Sequence, residues 1–105
     1  MKRACIAIAD AARARLYTYQ HDDDSQQFVE EVDLVSAGRR SIDDREAHRD
    51  EMDTKFAAHV VHEVERVANE RGLGHVMFVT PARMLGVVRP HLEVLRKHGF
   101  LVDEL

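Results

Sequence analysis

The sequence predicts an α/β fold, a mixed five-stranded sheet with two helices, as one domain spanning residues 1–105. Three patterns predict it. Residues 3–35 hold three runs of strand character separated by short polar turns. Residues 51–71 carry apolar side chains at steps of three and four, the period of a helix laid on a core. Beyond that helix, a four-residue apolar run leads into a second helical stripe. A strand reached through a crossover helix lies parallel to its sheet neighbour, whereas three strands joined by short turns lie antiparallel, so the sheet must mix both senses. At 105 residues and 12.0 kDa there is room for one core and no second domain.

Element by element, Arg3 to Ala9 reads as the first strand, with Ala4, Ile6 and Ile8 on one face and Cys5, Ala7 and Ala9 on the other. Both faces are apolar, which predicts a central strand covered on both sides. The small residues of the second face let another element approach closely. After Asp10-Ala11-Ala12, Arg13 to Gln20 alternates strictly: Arg13, Arg15, Tyr17 and Tyr19 against Ala14, Leu16 and Thr18. His21 to Ser25 is a polar turn. Gln27 to Val35 forms the third strand of a meander, with Phe28, Val32 and Leu34 expected on one side.

Ser36 to Asp50 is charged and poor in large apolar groups, and Gly38-Arg39-Arg40 reads as loop. Ser41 to Asp44 fits a capping box from which a helical turn could start. Met52, Phe56, Val60, Val64 and Val67 form the stripe of the long helix, widened by Ala57, Val61 and Ala68, and Gly72 ends it. His75 to Thr80 is a buried strand, most simply parallel to the first. Thr80-Pro81 is a helix start, a hydroxyl cap followed by proline at the first helical position. Met84, Leu85, Val88, Leu92 and Leu95 continue as a helical stripe that Pro90 should break or kink near Arg89. Gly99 closes it, and Phe100 to Val102 forms a last short strand. The order β-β-β-α-β-α-β is that of a ribonuclease H-like sheet.

Composition mostly excludes. Hydrophobic residues make up 45% and charged residues 32%, a globular rather than a disordered mixture. The sequence has no run of about 18 apolar residues for a membrane span and no signal-peptide core, so a cytoplasmic chain without membrane contact is expected. Cys5 is the single cysteine, which removes any intrachain disulfide, and it sits in an apolar run as a buried, inert thiol. The net charge of −4 repels nucleic acid in bulk, so RNA contact would have to come from a local patch. Arginine outnumbers lysine twelve to three, and its planar fork suits phosphate and aromatic rings.

Three segments resemble the bacterial host attachment protein family, which is related to the middle domain of the eukaryotic and archaeal peptide-chain release factors and of Pelota. They are Ile8-Ala9-Asp10-Ala11-Ala12-Arg13-Ala14-Arg15-Leu16, Phe56-Ala57, and Val79-Thr80-Pro81-Ala82-Arg83-Met84-Leu85-Gly86-Val87-Val88-Arg89. Ala11 stands where the family has glycine, so this residue need not adopt positive φ. The loop before the long helix is shorter than in relatives, and relatives continue beyond the position of Leu105. No Gly-Gly pair occurs, so the Gly-Gly-Gln peptide-release chemistry of the release factors is not implied. The resemblance implies a release-factor middle-domain-like fold and a non-catalytic domain that contacts the ribosome or structured RNA.

For that contact the candidate RNA-binding residues are Arg13, Arg15, Tyr17 and Tyr19, which alternate cations and aromatic planes on one strand face, with Arg83 and Arg89 as phosphate contacts. The competing reading is a solvated or helix-covered face along which the arginines snorkel. A second function class is a metal-dependent phosphodiesterase using Asp10, with Glu63 as a second acid; the fourth strand ends in Thr80, where a further carboxylate would be needed. Against it, Asp10 reads as an Asx-type turn residue. A third class is a homodimeric protein–protein module, because a short C-terminal cover leaves a sheet face or edge to pair. His59 and His62 could hold a metal or be a surface pair, and Asp22-Asp23-Asp24 could bind a cation or form a charged turn. Arg39, Arg40, Arg45 and Arg49 alternate with acids in a solvated segment. No catalytic residue, metal site or cofactor is assigned.

Overall fold

A computed structural model describes residues 2–36 and 46–105, with side chains of the long helix described from Asp53 onward. Strands β1 (Lys2–Ala9), β2 (Arg13–His21) and β3 (Gln26–Val35) are followed by α1 (Glu46–Arg71), β4 (His75–Val79), α2 (Ala82–Lys97) and β5 (Leu101–Glu104). They form one sheet in the order β3-β2-β1-β4-β5. β1–β2 and β2–β3 are antiparallel and β1–β4 and β4–β5 are parallel, so the mixed sheet and the β1–β4 pairing are as expected. The first expected helical segment begins earlier than its apolar stripe indicates. Glu46 to Asp50 is helical, which carries Arg49 into α1. The proposed capping box at 41–44, Gly38 and the arginines at 39, 40 and 45 lie outside the described residues.

Both helices pack on the same side of the sheet. Cys5, Ala7, Ala9, Ala14, Leu16, Val76 and Phe78 point to that side and are buried, against Phe56, Val60, Val64 and Val67 of α1 and Met84, Val88, Leu92 and Leu95 of α2. The small side chains of β1 let α1 sit close. Burial raises the pKa of the Cys5 thiol to about 12, helped by the Glu31 carboxylate, so this sulfur is the inert group its apolar run predicts. No helix among the described residues is long and apolar enough to cross a membrane.

Each helix is stopped by the same device. Gly72 has φ +67°, and the Leu73 N–H reaches back to the Ala68 carbonyl at 2.7 Å while Gly72 N–H reaches Asn69. Gly99 has φ +95°, with Phe100 N–H on Leu95 and Gly99 N–H on Arg96. These are paired Schellman closures, which satisfy carbonyls that the last turn would otherwise leave open.

Four expectations fail for identifiable reasons. β1 is covered on one face instead of two: Ile8, on the far side from the helices, is 45% exposed. Phe28 does not share a side with Val32 and Leu34. The pairing runs Leu16↔Val32 and then Tyr17↔Glu30, so Glu31 is an extra residue, and this bulge turns Phe28 to the opposite face. Pro90 does not break α2, which is continuous from Ala82 to Lys97. The carbonyl whose i+4 donor it removes belongs to Gly86, and both residues are exposed to water, while Val88, Leu92 and Leu95 hold the flanking turns on the core. Finally, Thr80 does not cap α2. Pro81 occupies the cap position in extended conformation without a side-chain cap bond, and the buried Thr80 hydroxyl has no hydrogen-bond partner among the described residues.

Candidate functional site

The uncovered face of the sheet collects most of the residues that the sequence singles out. Strand alternation sends Arg13, Arg15, Tyr17 and Tyr19 to it, since Ala14 and Leu16 between them are fully buried on the helix side. The register sets Tyr19 opposite Ala4, Tyr17 opposite Ile6 and Arg15 opposite Ile8. The bulge at Glu31 adds Phe28, whose ring centroid lies 4.7 Å from that of Tyr17 and 6.1 Å from that of Tyr19. His21 stacks at 6.4 Å from Tyr19. Phe28 was not legible as part of this face, because its even numbering matches Val32 and Leu34. A one-residue insertion in a ladder carries no composition signal of its own.

Electrostatically the face is balanced within itself. Arg13 grips Asp33 through two nitrogens, with Nε donating to Oδ1 at 2.9 Å. That pair holds the Asp33 carboxyl below the usual carboxylate range and raises the guanidinium further. Arg15 approaches Glu30 at 3.7 Å, and the His75 ring lies 2.7 Å from Asp103. The other two expected phosphate contacts lie elsewhere, on α2: Arg89 pairs with Glu104 at 3.4 Å, and Arg83 stands 3.9 Å from Asp53. The structure therefore groups four of the six expected residues and separates the remaining two.

At the carboxyl ends of β1 and β4 the two faces meet around Asp10. Its Oδ1 accepts the backbone N–H groups of Ala12 at 2.7 Å and Arg13 at 2.8 Å, an Asx turn that closes the β1–β2 hairpin. Ala11 has no positive φ, so this turn does not require glycine there. On the open side, a depression of about 480 Å³ is lined by Asp10, Arg13, Arg15, Thr80 and Pro81. On the helix side, a pocket of about 200 Å³ is lined by Asp10, Asp53, Pro81, Arg83 and Met84. Asp53 is the acid that α1 brings to this end, and it is 4% exposed. Its signal in the sequence is a carboxylate three positions before Phe56, on the apolar stripe itself. Glu63, the acid expected there, instead bonds Arg66 at 2.7 Å. Asp22 accepts bonds from Asp24 N–H and Ser25, which makes the triple-Asp segment a hairpin turn and lowers the Asp22 pKa. Among the described residues no group of three metal-ligating side chains is placed to hold a metal ion, and His62, Glu65 and His91 only line a common groove between the helices.

The sequence profile of the family described as "protein required for attachment to host cells" matches residues 33–98. The chain belongs to that family. A comparison with curated protein sequences gives no match. Among solved structures, this host-attachment chain is similar to the Ppx/GppA phosphatase of Aquifex aeolicus in its type II variant, with TM-score 0.60 and 12% identity over 100% of this chain and 36% of that one. A second structure of the Aquifex aeolicus PPX-GPPA enzyme gives TM-score 0.55 at 17% identity, over 98% of this chain and 35% of that one. A third, of the Ppx/GppA family member from the same organism, gives 0.58 at 15%, over 98% and 34%. The chain spans about a third of the length of these proteins. At such identities the likeness shows the mixed α/β fold alone.

Proposed function

We propose that the protein is a non-catalytic docking module of the host-attachment family and that its contact surface is the open face of the sheet, taken up by another protein surface. One observation carries this reading: the face exposes large apolar side chains, Ile8 at 45%, Phe28 at 53% and Leu101 at 64%, while its arginines are already paired with carboxylates of the same face. A face of exposed apolar side chains whose arginines are already paired suits a protein partner, because burying it removes apolar area from water and leaves both guanidinium groups with their carboxylates.

RNA or the ribosome is the second reading, and the ring cluster of Tyr17, Tyr19 and Phe28 favours it, since adjacent aromatic planes on a bare sheet are what stacked bases require. It ranks second because phosphates would have to displace Asp33 and Glu30 from Arg13 and Arg15 on a chain of net charge −4. A ribonuclease H-like phosphodiesterase centred on Asp10 gains a second acid in Asp53, but the cation beside that acid is Arg83 and the residue that follows the fourth strand is Thr80, where a further carboxylate would be needed.

Affinity capture from lysate, with and without ribonuclease, tests the ranking. Protein partners that survive ribonuclease and are lost in Ile8→Asp support the docking module. Capture abolished by ribonuclease and by Arg13→Ala/Arg15→Ala replaces it with the RNA reading.

A further inference from the structure

We infer that the occupant of the open face is a second copy of this chain, two sheets packing face to face about a two-fold axis that runs across the strands near Ile6. The inference rests on the reading of this face as a protein-docking surface. Three properties of the face point to self-association.

The first is shape. Ile8 projects from the face at 45% exposure, whereas Ala4, on the same strand and the same side, is 3% exposed. Ala4 lies at the floor of an open depression of about 590 Å³ bordered by Lys2, Tyr19, His75 and Met77. Ile8 and Ala4 are each two residues from Ile6. A two-fold rotation about an axis crossing the strands at Ile6 exchanges them, so the knob of each copy enters the depression of the other. An axis running along the strands would set knob on knob and hollow on hollow. Sheets that pack face to face keep their strands within about 30° of alignment, which the crossing axis satisfies with the strands antiparallel.

The second property is chemical complementarity from end to end. Arg13 and Arg15 stand at the carboxyl end of β1, and the rings of Tyr19, Phe28 and His21 stand at its amino end. The same rotation lays the guanidinium of Arg15 over the Tyr19 ring of the other copy, twice per dimer, a cation–π arrangement. The three cations of the face, Lys2, Arg13 and Arg15, match three acids, Glu30, Asp33 and Asp103. Two copies of net charge −4 repel as wholes but meet here without a surplus of either sign.

The third is area. Five strands at about 4.8 Å spacing and about 3.3 Å per residue make a face of about 600 Å² in projection. Side-chain relief brings that close to the about 800 Å² per partner of a stable interface.

Sedimentation equilibrium of the full chain at tens of micromolar tests the inference. A dimer is expected, and Ile8→Asp should weaken it by at least about thirtyfold, the mark of a central anchor. Ile8 is half exposed, so the variant folds, and circular dichroism checks this. Val94→Asp, on the exposed side of α2, should leave the dimer intact. In the dimer, Tyr17 and Tyr19 fluorescence should be shielded from a soluble quencher, with the shielding lost in Ile8→Asp. A monomer at every concentration overturns the inference, as does a dimer broken by Val94→Asp but not by Ile8→Asp. A monomer whose tyrosines are nonetheless shielded places another part of the same chain on the face and overturns it too. A monomer in which Ile8→Asp abolishes ribonuclease-resistant capture of a different protein overturns the second copy but keeps the docking face. Ile8→Asp without effect on either assay removes both.

Discussion

The two sides of the sheet are built from the same strands and obey opposite rules. On the helix side, residues are small on β1 (Cys5, Ala7, Ala9) and larger on the strands beside it (Leu16, Val76, Phe78), and nearly all are buried. On the open side a small buried residue, Ala4, shares β1 with the exposed Ile8, and carboxylates neutralise the arginines locally. The first side is a completed core. The second mixes large exposed apolar side chains with arginines that pair with carboxylates of the same face, the combination on which the proposed docking role rests. The comparison separates folding from docking: each side can be damaged without the other.

The largest effect separates two phenylalanines. Phe78→Ala empties a fully buried site and should cost about 3–5 kcal/mol of stability, read by chemical denaturation. Phe28→Ala, measured at concentrations where any assembly has dissociated, should cost about 1 kcal/mol, the value of its ring contacts with Tyr17 and Tyr19. Equal losses would mean the open face is part of the core. Next come the helix stops. Gly99→Ala forces an L residue to φ +95° with no crowding around the new methyl group, so the loss, about 1–2 kcal/mol in thermal unfolding, is conformational alone.

Much of this was legible in the sequence. Alternation placed Arg13, Arg15, Tyr17 and Tyr19 on one face, and the three-and-four spacing of Phe56, Val60, Val64 and Val67 placed α1 on the core. Gly72 and the Asx role of Asp10 could also be read, because each depends on local chemistry. The missing features are non-local. Whether a second layer covers Ile8 depends on where both crossover helices go, and strand alternation is silent on that. The side taken by Phe28 depends on one extra residue in a ladder. The break expected at Pro90 does not occur, because its local penalty is offset by packing on the other side of α2. Asp53 was overlooked because a carboxylate inside an apolar stripe looks like noise until the strand ends are in place.

The bulge that reassigns Phe28 can be loosened through pH. Glu31 accepts bonds from Arg71 at 2.9 Å and from the Thr18 hydroxyl at 2.9 Å, and its side chain is 15% exposed. The Arg71 bond, then the Thr18 bond, hold its carboxyl below the ordinary value of 4.5. A depressed folded pKa means that the stabilisation is fully present above pH 4.5 and is lost as pH falls through the folded value. Glu31→Ala should therefore cost about 1 kcal/mol at neutral pH, and the difference from the parent should vanish in acid. A pH-independent difference would place the contribution in packing instead.

The smallest expected effect bears most directly on what the open face binds. Arg13 and Asp33 are both exposed, so Arg13→Ala should leave the unfolding midpoint unchanged. The informative quantity is the salt dependence of association. If Arg13 and Arg15 engaged two phosphates of a single strand, the logarithm of the affinity would fall with the logarithm of salt concentration at a slope of about −1.4, and removing one arginine would halve that slope. If the face meets protein, the arginines keep their carboxylates, few counterions are released, and the slope stays near zero in the parent and in Arg13→Ala alike. A steep slope flattened by Arg13→Ala would mean that the carboxylates give way to phosphate, and the local charge balance that distinguishes this face from a nucleic-acid platform would then be a resting arrangement, broken whenever a strand binds.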